Sequence, residues 1–279
     1  MSEHTFSAYA NDLNEFRQYL SDTYPLLEQV TEIELFHIRS WIAYMAEKKA
    51  GARTLQRKSS ALKSFFHYLL KNSIIKRNPA KMVRTPKPPK RLPVFLEEKE
   101  TQVILAAPAP GETEMETATG KLIIELLYQT GIRRAELCNL KETDIEISLK
   151  QIRVLGKRNK ERLIPVNNFL LADIKEYTDL KRKTFNQPTP FLLCLKSGKP
   201  VYPNYVYRVV KTYLQQTNLS KKSPHILRHT FATQLSNNGA DLSAIKDLLG
   251  HSSLAATQIY THNNIEKLKE QYRKAHPKS

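Results

Sequence analysis

Apolar positions recur at helical spacing through residues 1–84. Phe6, Tyr9, Leu13, Phe16 and Leu20 predict a first amphipathic helix. A second begins near Thr31, where Glu34 completes a capping box, and carries Leu35, Ile38, Ile42 and Met45 on one face. A third runs from about Thr54 to Leu70, with Leu55, Leu62, Phe65, Phe66 and Leu69 inward. Its outer side is open to Arg53, Arg57, Lys58 and Lys63. These stripes are core. Residues 85–93 then hold four prolines in nine positions, a density that excludes a helix and favours a stiff, extended linker. Past it the pattern is helical over Glu97–Ala106, about Thr119–Gln129 and Arg133–Leu140. Three strand-like stretches follow, Asp144–Leu149, Gln151–Leu155 and Arg162–Val166. Residues 156–160 form a hairpin tip containing Gly and Asn. Helices occupy the rest. Asp241 N-caps a segment that Gly250 ends. Ser252 or Ser253 caps a helix containing Tyr260, and a last amphipathic helix runs from about Asn264 to Ala275. The expected class is mainly α, with a small antiparallel β-sheet in the second domain. Its parts are a helical domain 1–84, a linker 85–93 and a second domain 94–279.

A length of 279 residues fits two domains better than one. The apolar runs around Leu122–Tyr128 and Phe191–Leu195 are too short to span a bilayer, and an anionic membrane surface ranks behind nucleic acid as the polyanionic partner, so that no membrane partner is expected. Ser2-Glu3-His4 has neither the basic nor the apolar region of a secretory signal. Two cysteines, Cys138 and Cys194, give neither a disulfide framework nor metal-ligand spacing. A reducing cytoplasm is the simplest compartment.

Charge points to a partner. The chain has 44 Lys+Arg against 27 Asp+Glu, a formal net charge of +17. Residues 71–91 hold eight Lys/Arg, and residues 180–240 hold ten, without a single acid. Stretches this long suggest faces kept free of carboxylates that would repel phosphate, so nucleic acid is the expected partner. Lys87, Lys90 and Arg91 carry that expectation into the linker.

Four motifs in the second domain carry chemistry. In Thr130-Gly131-Ile132-Arg133-Arg134-Ala135-Glu136-Leu137, Gly131 breaks one helix and Arg133 lies in the first turn of the next, where it can meet an anion beside free N–H groups. Glu136, three residues on, shares its face. The hairpin tip offers Lys157, which on spacing alone reads as an exposed turn lysine. In His225-Ile226-Leu227-Arg228-His229, His225 and Arg228 share a helix face and fit a phosphate. The rival reading pairs His225 with His229 as zinc ligands. No glutamate follows His225, and Arg228 would repel a dication. Last comes Leu249-Gly250-His251 and, beyond it, Tyr260, which alone reads as a core or interface tyrosine.

In order, TGIRRAEL, GKRNKER, HILRH, LGHS and Tyr260 closely resemble the tyrosine recombinase (phage integrase) family, and most of all its Xer-type site-specific recombinases. The stretch from Ala52 through Asn78-Pro79-Ala80 to Leu92-Pro93 resembles the family's core-binding domain. The resemblance spans nearly the whole chain. It implies a two-domain clamp on DNA with a SAM-like core-binding domain and a catalytic domain. Arg133, Lys157, His225, Arg228, His251 and the nucleophile Tyr260 match the catalytic set, with Glu136 in support and no metal or other cofactor. Arg53, Arg57, Lys58, Lys63, Lys87, Lys90, Arg91 and Arg158 are the expected DNA contacts. Arg158 stands where close relatives often have a small residue. Met1 falls close to the family's Ser-x-x-Thr signature, which implies a slightly shortened first helix.

The resemblance further implies a double-stranded recombination site as partner. It also implies a tetramer on two such sites, with or without a partner recombinase, and a role in chromosome dimer resolution. Weighed against it are an integrase or transposase of a mobile element, a DNA-relaxing topoisomerase, a non-catalytic DNA-binding module and a metal nuclease. In the last helix Ile265, Leu268, Tyr272 and Ala275 form one apolar face. Pattern alone leaves open whether it closes the chain's own core; the resemblance has it dock on a neighbouring protomer.

Overall fold

The computed structural model describes residues 3–87, 94–106, 111–156, 160–187 and 189–250, with residues 272, 274 and 275. The chain divides into two compact units, Met1–Leu92 and Pro93–Ser279. No described helix is long and apolar enough to cross a membrane.

The first unit is built on α1 (Glu3–Thr23), α2 (Leu35–Glu47) and α3 (Ala52–Lys71). Its core gathers Phe16, Leu20, Ile38, Trp41, Ile42, Leu55, Leu62, Phe66 and Leu69, at the helical spacing the sequence shows. Three expectations need correction. Phe6 opens the predicted stripe but is 64% exposed and lies outside the core, whose α1 members begin with Phe16. The second helix starts later than Thr31: residues Val30–Glu32 form a separate 3-10 turn. Glu34 is itself the N-cap of α2, and its N–H donates to His37 Nδ1 at 3.0 Å.

The third correction concerns Lys58, expected on the outer side of α3. It is 2% exposed, and its Nζ donates to Asp12 Oδ1 at 2.9 Å and Glu15 Oε2 at 2.5 Å. Asp12 is itself buried and also accepts from Arg57. A buried carboxylate on α1 thus pulls the lysine inward, since an unpaired charge there would be costly. Lys58 thus lies in the core and not on the outer side of α3. Lys63 is half-buried and donates to the Val83 carbonyl at 3.0 Å, while Arg53 stays exposed. Asn78 fastens the chain after α3, donating to the Lys63 carbonyl and accepting from the Ala80 N–H.

In the second unit the central element is α5 (Glu114–Thr130), where every residue from Leu122 to Thr130 is buried. Thr113 caps its start and Gly131, at φ +60°, ends it. A Cβ on Gly131 would lie 2.5 Å from Phe231, so glycine is required by both space and backbone. Around α5 pack α4 (Glu98–Ala106), the short α6 (Arg134–Asn139), α7 (Asn168–Thr184), α8 (Pro203–Tyr213) and α9 (Pro224–Asn237). After α9 comes α10 (Leu242–Leu249), capped by Asp241 and stopped by Gly250 at φ +62°, as the sequence predicts.

The sheet is an antiparallel meander of β1 (Ile145–Glu146), β2 (Gln151–Leu155) and β3 (Glu161–Pro165). Ile152, Val154 and Ile164 turn into the core at period two. The first strand is only two residues long, shorter than predicted, because the chain turns back through Lys150 at φ +50°. The Gly156 N–H donates to the Lys160 carbonyl at 2.8 Å and closes the β2–β3 hairpin.

The described residues of the C-terminal segment bear on one expectation for the isolated chain. Tyr272 and Ala275 are 2% and 1% exposed and belong to the second unit's own core. The Tyr272 hydroxyl donates to the Gln129 carbonyl at 3.1 Å, and Asn238 Nδ2 donates to the Ala275 carbonyl at 2.6 Å. Of the face expected to dock on a neighbouring protomer, Tyr272 and Ala275 are here seated on their own unit, where they keep their burial energy, while Ile265 and Leu268 lie outside the described residues. Replacing Tyr272 by Ala should therefore destabilise the second unit by about 3–5 kcal/mol, the usual cost of deleting a buried aromatic ring. Urea unfolding of wild type and variant measures this; an unchanged midpoint would place the ring outside the core.

Candidate active site: arginines gathered at a helix end

The site grows from two breaks in helices. At the first, Gly131 ends α5 and Arg133 becomes the N-cap of α6 rather than a residue of its first turn. The Arg133 N–H is not free for a ligand: it donates to Glu136 Oε2 at 2.7 Å. The Arg133 guanidinium donates to Glu136 Oε1 at 2.8 Å and to the Gly250 carbonyl at 2.9 Å. One carboxylate thus fixes both ends of this half-buried arginine, and the i, i+3 support read from the sequence is present.

At the second break, Gly250 ends α10 and leaves its last carbonyls without helical partners. Three arginines from three elements take them. Arg133 reaches Gly250, Arg228 Nη2 donates to Leu249 at 2.6 Å, and Arg162 Nε donates to Leu248 at 2.8 Å. Arg228 Nη1 also donates to the Gly131 carbonyl at 2.5 Å, tying the two helix ends together. The negative end of a helix dipole favours cations, so α10 is a ready seat for them.

Arg162 is the residue that sequence reasoning missed. It is 4% exposed, and its Nη1 and Nη2 donate to Glu136 Oε1 and Oε2 at 3.0 and 2.8 Å. One signal was available. Arg162 precedes Ile164 by two on a strand whose Ile164 faces the core, so period two places the arginine inward.

The electrostatics follow from this packing. Burial alone would raise the Glu136 pKa, but the hydrogen bonds and charge of Arg162, then those of Arg133, hold it below the usual carboxylate range. Burial, then the charges of Arg133 and Arg162, push Arg228 down to about 10. It stays charged at neutral pH but is short of counter-charge. Three guanidinium groups share one carboxylate, and the surplus favours an anion. His225 lies on α9 beside them at i−3 from Arg228. Partial desolvation, then the charges of His229, Arg134, Arg228 and Arg133, lower its pKa below the ordinary value of 6.5. Among the described residues no group of three or more His, Cys, Asp or Glu could hold a metal ion.

The structure thus brings together Arg133, Glu136, His225 and Arg228. Lys157, Arg158, His251, Tyr260, Lys90 and Arg91 lie outside the described residues. The two acid-free stretches differ. In the first, Lys71, Lys76, Arg77, Lys81, Arg84 and Lys87 are all exposed. The second is not one exposed face. Lys181 is fully buried, donating to Glu142 at 2.7 Å and to the Thr189 and Phe191 carbonyls at 2.8 and 2.6 Å. Arg182 pairs with the same Glu142 at 3.0 Å, and Arg228 is buried.

Comparison with known proteins identifies this architecture. The "Phage integrase family" model matches residues 94–267, and "Phage integrase, N-terminal SAM-like domain" matches residues 1–73. The "Tyrosine recombinase XerC" of Pediococcus pentosaceus is 36% identical over all of this chain and 93% of its own length. That of Thermodesulfovibrio yellowstonii is 38% identical over all of this chain and 92% of its own. Among solved structures, the XerH site-specific recombinase bound to palindromic difH substrate superposes with a TM-score of 0.75 at 23% identity, over 95% of this chain and 78% of that one. A lambda integrase dimer bound to a COC′ core site gives 0.68 at 21%, over 93% of each. At these identities the superpositions show the fold. Fold and relatives together define the class as the tyrosine recombinases, enzymes that break and rejoin DNA. The chain belongs to the phage integrase family, and its relatives are of the Xer type.

Replacing Glu136 by Gln should remove the one carboxylate bonded to Arg133 and Arg162 among the described residues and cost about 3–5 kcal/mol. The sign of the pH effect follows from the lowered pKa. The stability due to Glu136 is fully present above its ordinary value of 4.5 and is lost as pH falls through the lower folded value. The variant should therefore be less stable at neutral pH and lose less on acidification. Thermal melting between pH 3 and 7, about the range bracketing carboxylate titration, tests both; parallel curves would remove the charge assignment.

Proposed function

We propose that the protein is a site-specific recombinase that exchanges strands between two copies of a double-stranded DNA site through a 3′-phosphotyrosine intermediate on Tyr260. The observation that carries the reading is the cluster of three arginines around one carboxylate, with Arg133 and Arg228 anchored on helix-end carbonyls and Arg228 short of counter-charge. A phosphodiester gains negative charge as it becomes pentacoordinate. Two fixed guanidinium forks stabilise that charge without a metal, because their geometry is set before the substrate arrives.

The roles follow. Arg133 and Arg228 hold the non-bridging oxygens. Tyr260 attacks phosphorus and its proton leaves; the bond to the 5′ oxygen breaks, and Lys157 protonates that oxygen. His225, lowered in pKa by partial burial and then by its cationic neighbours, is neutral near pH 7 and able to accept the Tyr260 proton. His251 hydrogen-bonds a phosphate oxygen. The energy of the broken bond stays in the ester, so a 5′-hydroxyl from the partner strand reverses the step with no ATP.

The domain reading assigns residues 1–84 to binding the recombination site, 85–93 to the linker and 94–279 to chemistry. The exposed bases of residues 71–87, with Arg53 and Arg57, supply sequence-independent phosphate contacts. Work on two sites calls for a tetramer, with or without a partner recombinase. The biological role that fits the XerC-type relatives is chromosome dimer resolution in the cytoplasm. Transfer of the C-terminal segment from its own unit to a neighbour would let assembly control the position of Tyr260.

Tyr260→Phe should bind DNA like wild type and form no covalent adduct. Denaturing electrophoresis after incubation with a nicked suicide substrate reads this directly, and an adduct persisting in the variant would end the assignment. A second expectation concerns pH. Because the neutral form of His225 accepts the proton, cleavage at subsaturating DNA should fall as pH drops through a value below 6.5. His225→Gln should lower the rate at neutral pH and abolish that acidic limb. An unchanged limb would give the titration to another group.

A further inference from the structure

Arg162 has no part in the chemistry set out above, yet it lies at the centre of the cluster. Each of its three guanidinium nitrogens donates to an internal acceptor: Nη1 and Nη2 to the two oxygens of Glu136, and Nε to the Leu248 carbonyl. At 4% exposure it is buried away from a bound phosphate. Its side chain also lies against Gly250. A Cβ there would come within 3.2 Å of Arg162 Cδ, 3.3 Å of Nη1 and 3.4 Å of Nε. The turn by which the chain leaves α10 toward His251 therefore rests on the Arg162 side chain. Arg162 is also the second residue of β3, the return strand of the hairpin that Gly156 and Lys160 close.

Glu136 serves two arginines. Its Oε1 accepts from both Arg133 Nη1 and Arg162 Nη1, and its Oε2 from the Arg133 N–H and Arg162 Nη2. Alone with Arg133, a carboxylate 2.8 Å away would orient that guanidinium but also cancel much of its pull on a phosphate. A second guanidinium across the carboxylate removes this conflict.

We propose that Arg162 is a positioning residue for strand cleavage: it neutralises Glu136, so that Glu136 can orient Arg133 without weakening it, and it supports the Gly250 turn. This rests on the reading of Arg133 and Arg228 as the phosphate clamp. Two electrostatic observations agree with it. After burial, Arg162 is the foremost influence on Glu136, ahead of Arg133. The charge of Arg162 is also one of the two that depress Arg228, so it adds to the positive potential at the clamp.

The test uses the full chain and a nicked duplex carrying a site that the protein itself selects from random DNA. Four proteins are compared: wild type, Arg162→Lys, Arg162→Gln, and Arg162→Gln with Glu136→Gln. Site affinity, single-turnover cleavage at saturating DNA and melting temperature are measured for each. Arg162→Gln should bind the site as wild type does and cleave about 10²-fold more slowly, the scale of a small displacement of a catalytic group. Arg162→Lys, which keeps the charge and loses the fork, should fall between. The double variant should cleave faster than Arg162→Gln alone, because the uncompensated carboxylate is gone. A merely structural role predicts the reverse order, with the double variant slowest and the losses following the melting temperature. Wild-type cleavage by Arg162→Gln, or a double variant no faster than the single, would overturn the proposal. Should Arg162→Gln fail to fold, Arg162→Lys decides: slower cleavage at unchanged affinity supports the role, and an unchanged rate overturns it. If wild type itself forms no adduct, the recombinase reading fails first and the proposal falls with it.

Discussion

A helix that ends at a left-handed glycine leaves carbonyls that need donors, and in this protein that need organises the catalytic unit. The last three carbonyls of the α10 end, Leu248, Leu249 and Gly250, each take a different arginine. The three come from the α5–α6 break, from β3 and from α9, so one helix terminus fixes the relative placement of three elements distant in sequence. Like charges brought together in a protein interior repel strongly. Here the repulsion is met by the helix dipole, by Glu136 and by backbone oxygens.

The same device, one carboxylate serving more than one cation, recurs away from the site. Asp12 receives Lys58 and Arg57 in the first unit, and Glu142 receives Lys181 and Arg182 in the second. In each case one cation is buried and the other more exposed, so a single acid anchors one long side chain inside the fold and another at its edge. These pairs also change the meaning of the net charge. Some of the bases are turned inward, while those of residues 71–87 and most of those between Arg182 and Lys221 face solvent.

Much of this was legible in the sequence. The three helices of the first unit, the Asp241 and Gly250 caps of α10 and the Glu136 support of Arg133 follow from local rules, which act within a turn or two of the chain. The failures share a cause. Lys58, Lys181 and Arg162 are charged residues turned inward by a carboxylate on another element, and helical or strand periodicity contains nothing about such partners. The first strand came out short because β pairing, unlike helix formation, is settled by the neighbouring strand and the turn at Lys150. Tyr272 and Ala275 sat on a face whose periodicity fits a core and an interface equally well, so only packing could decide where they lie in the single chain.

The arginines recognise α10 through its backbone and not through its side chains. Carbonyl oxygens are the same whatever residue bears them, so the side chains at Leu248 and Leu249 answer to core packing alone, and drift there need not disturb the site. Register is different. Inserting or deleting one residue in α10 would rotate its end by roughly 100° and shift it about 1.5 Å. All three donors would then miss together. The helix is thus tolerant of substitution and intolerant of changes in length, and lineages of this protein could rewrite its composition while keeping its count of residues and its terminal glycine.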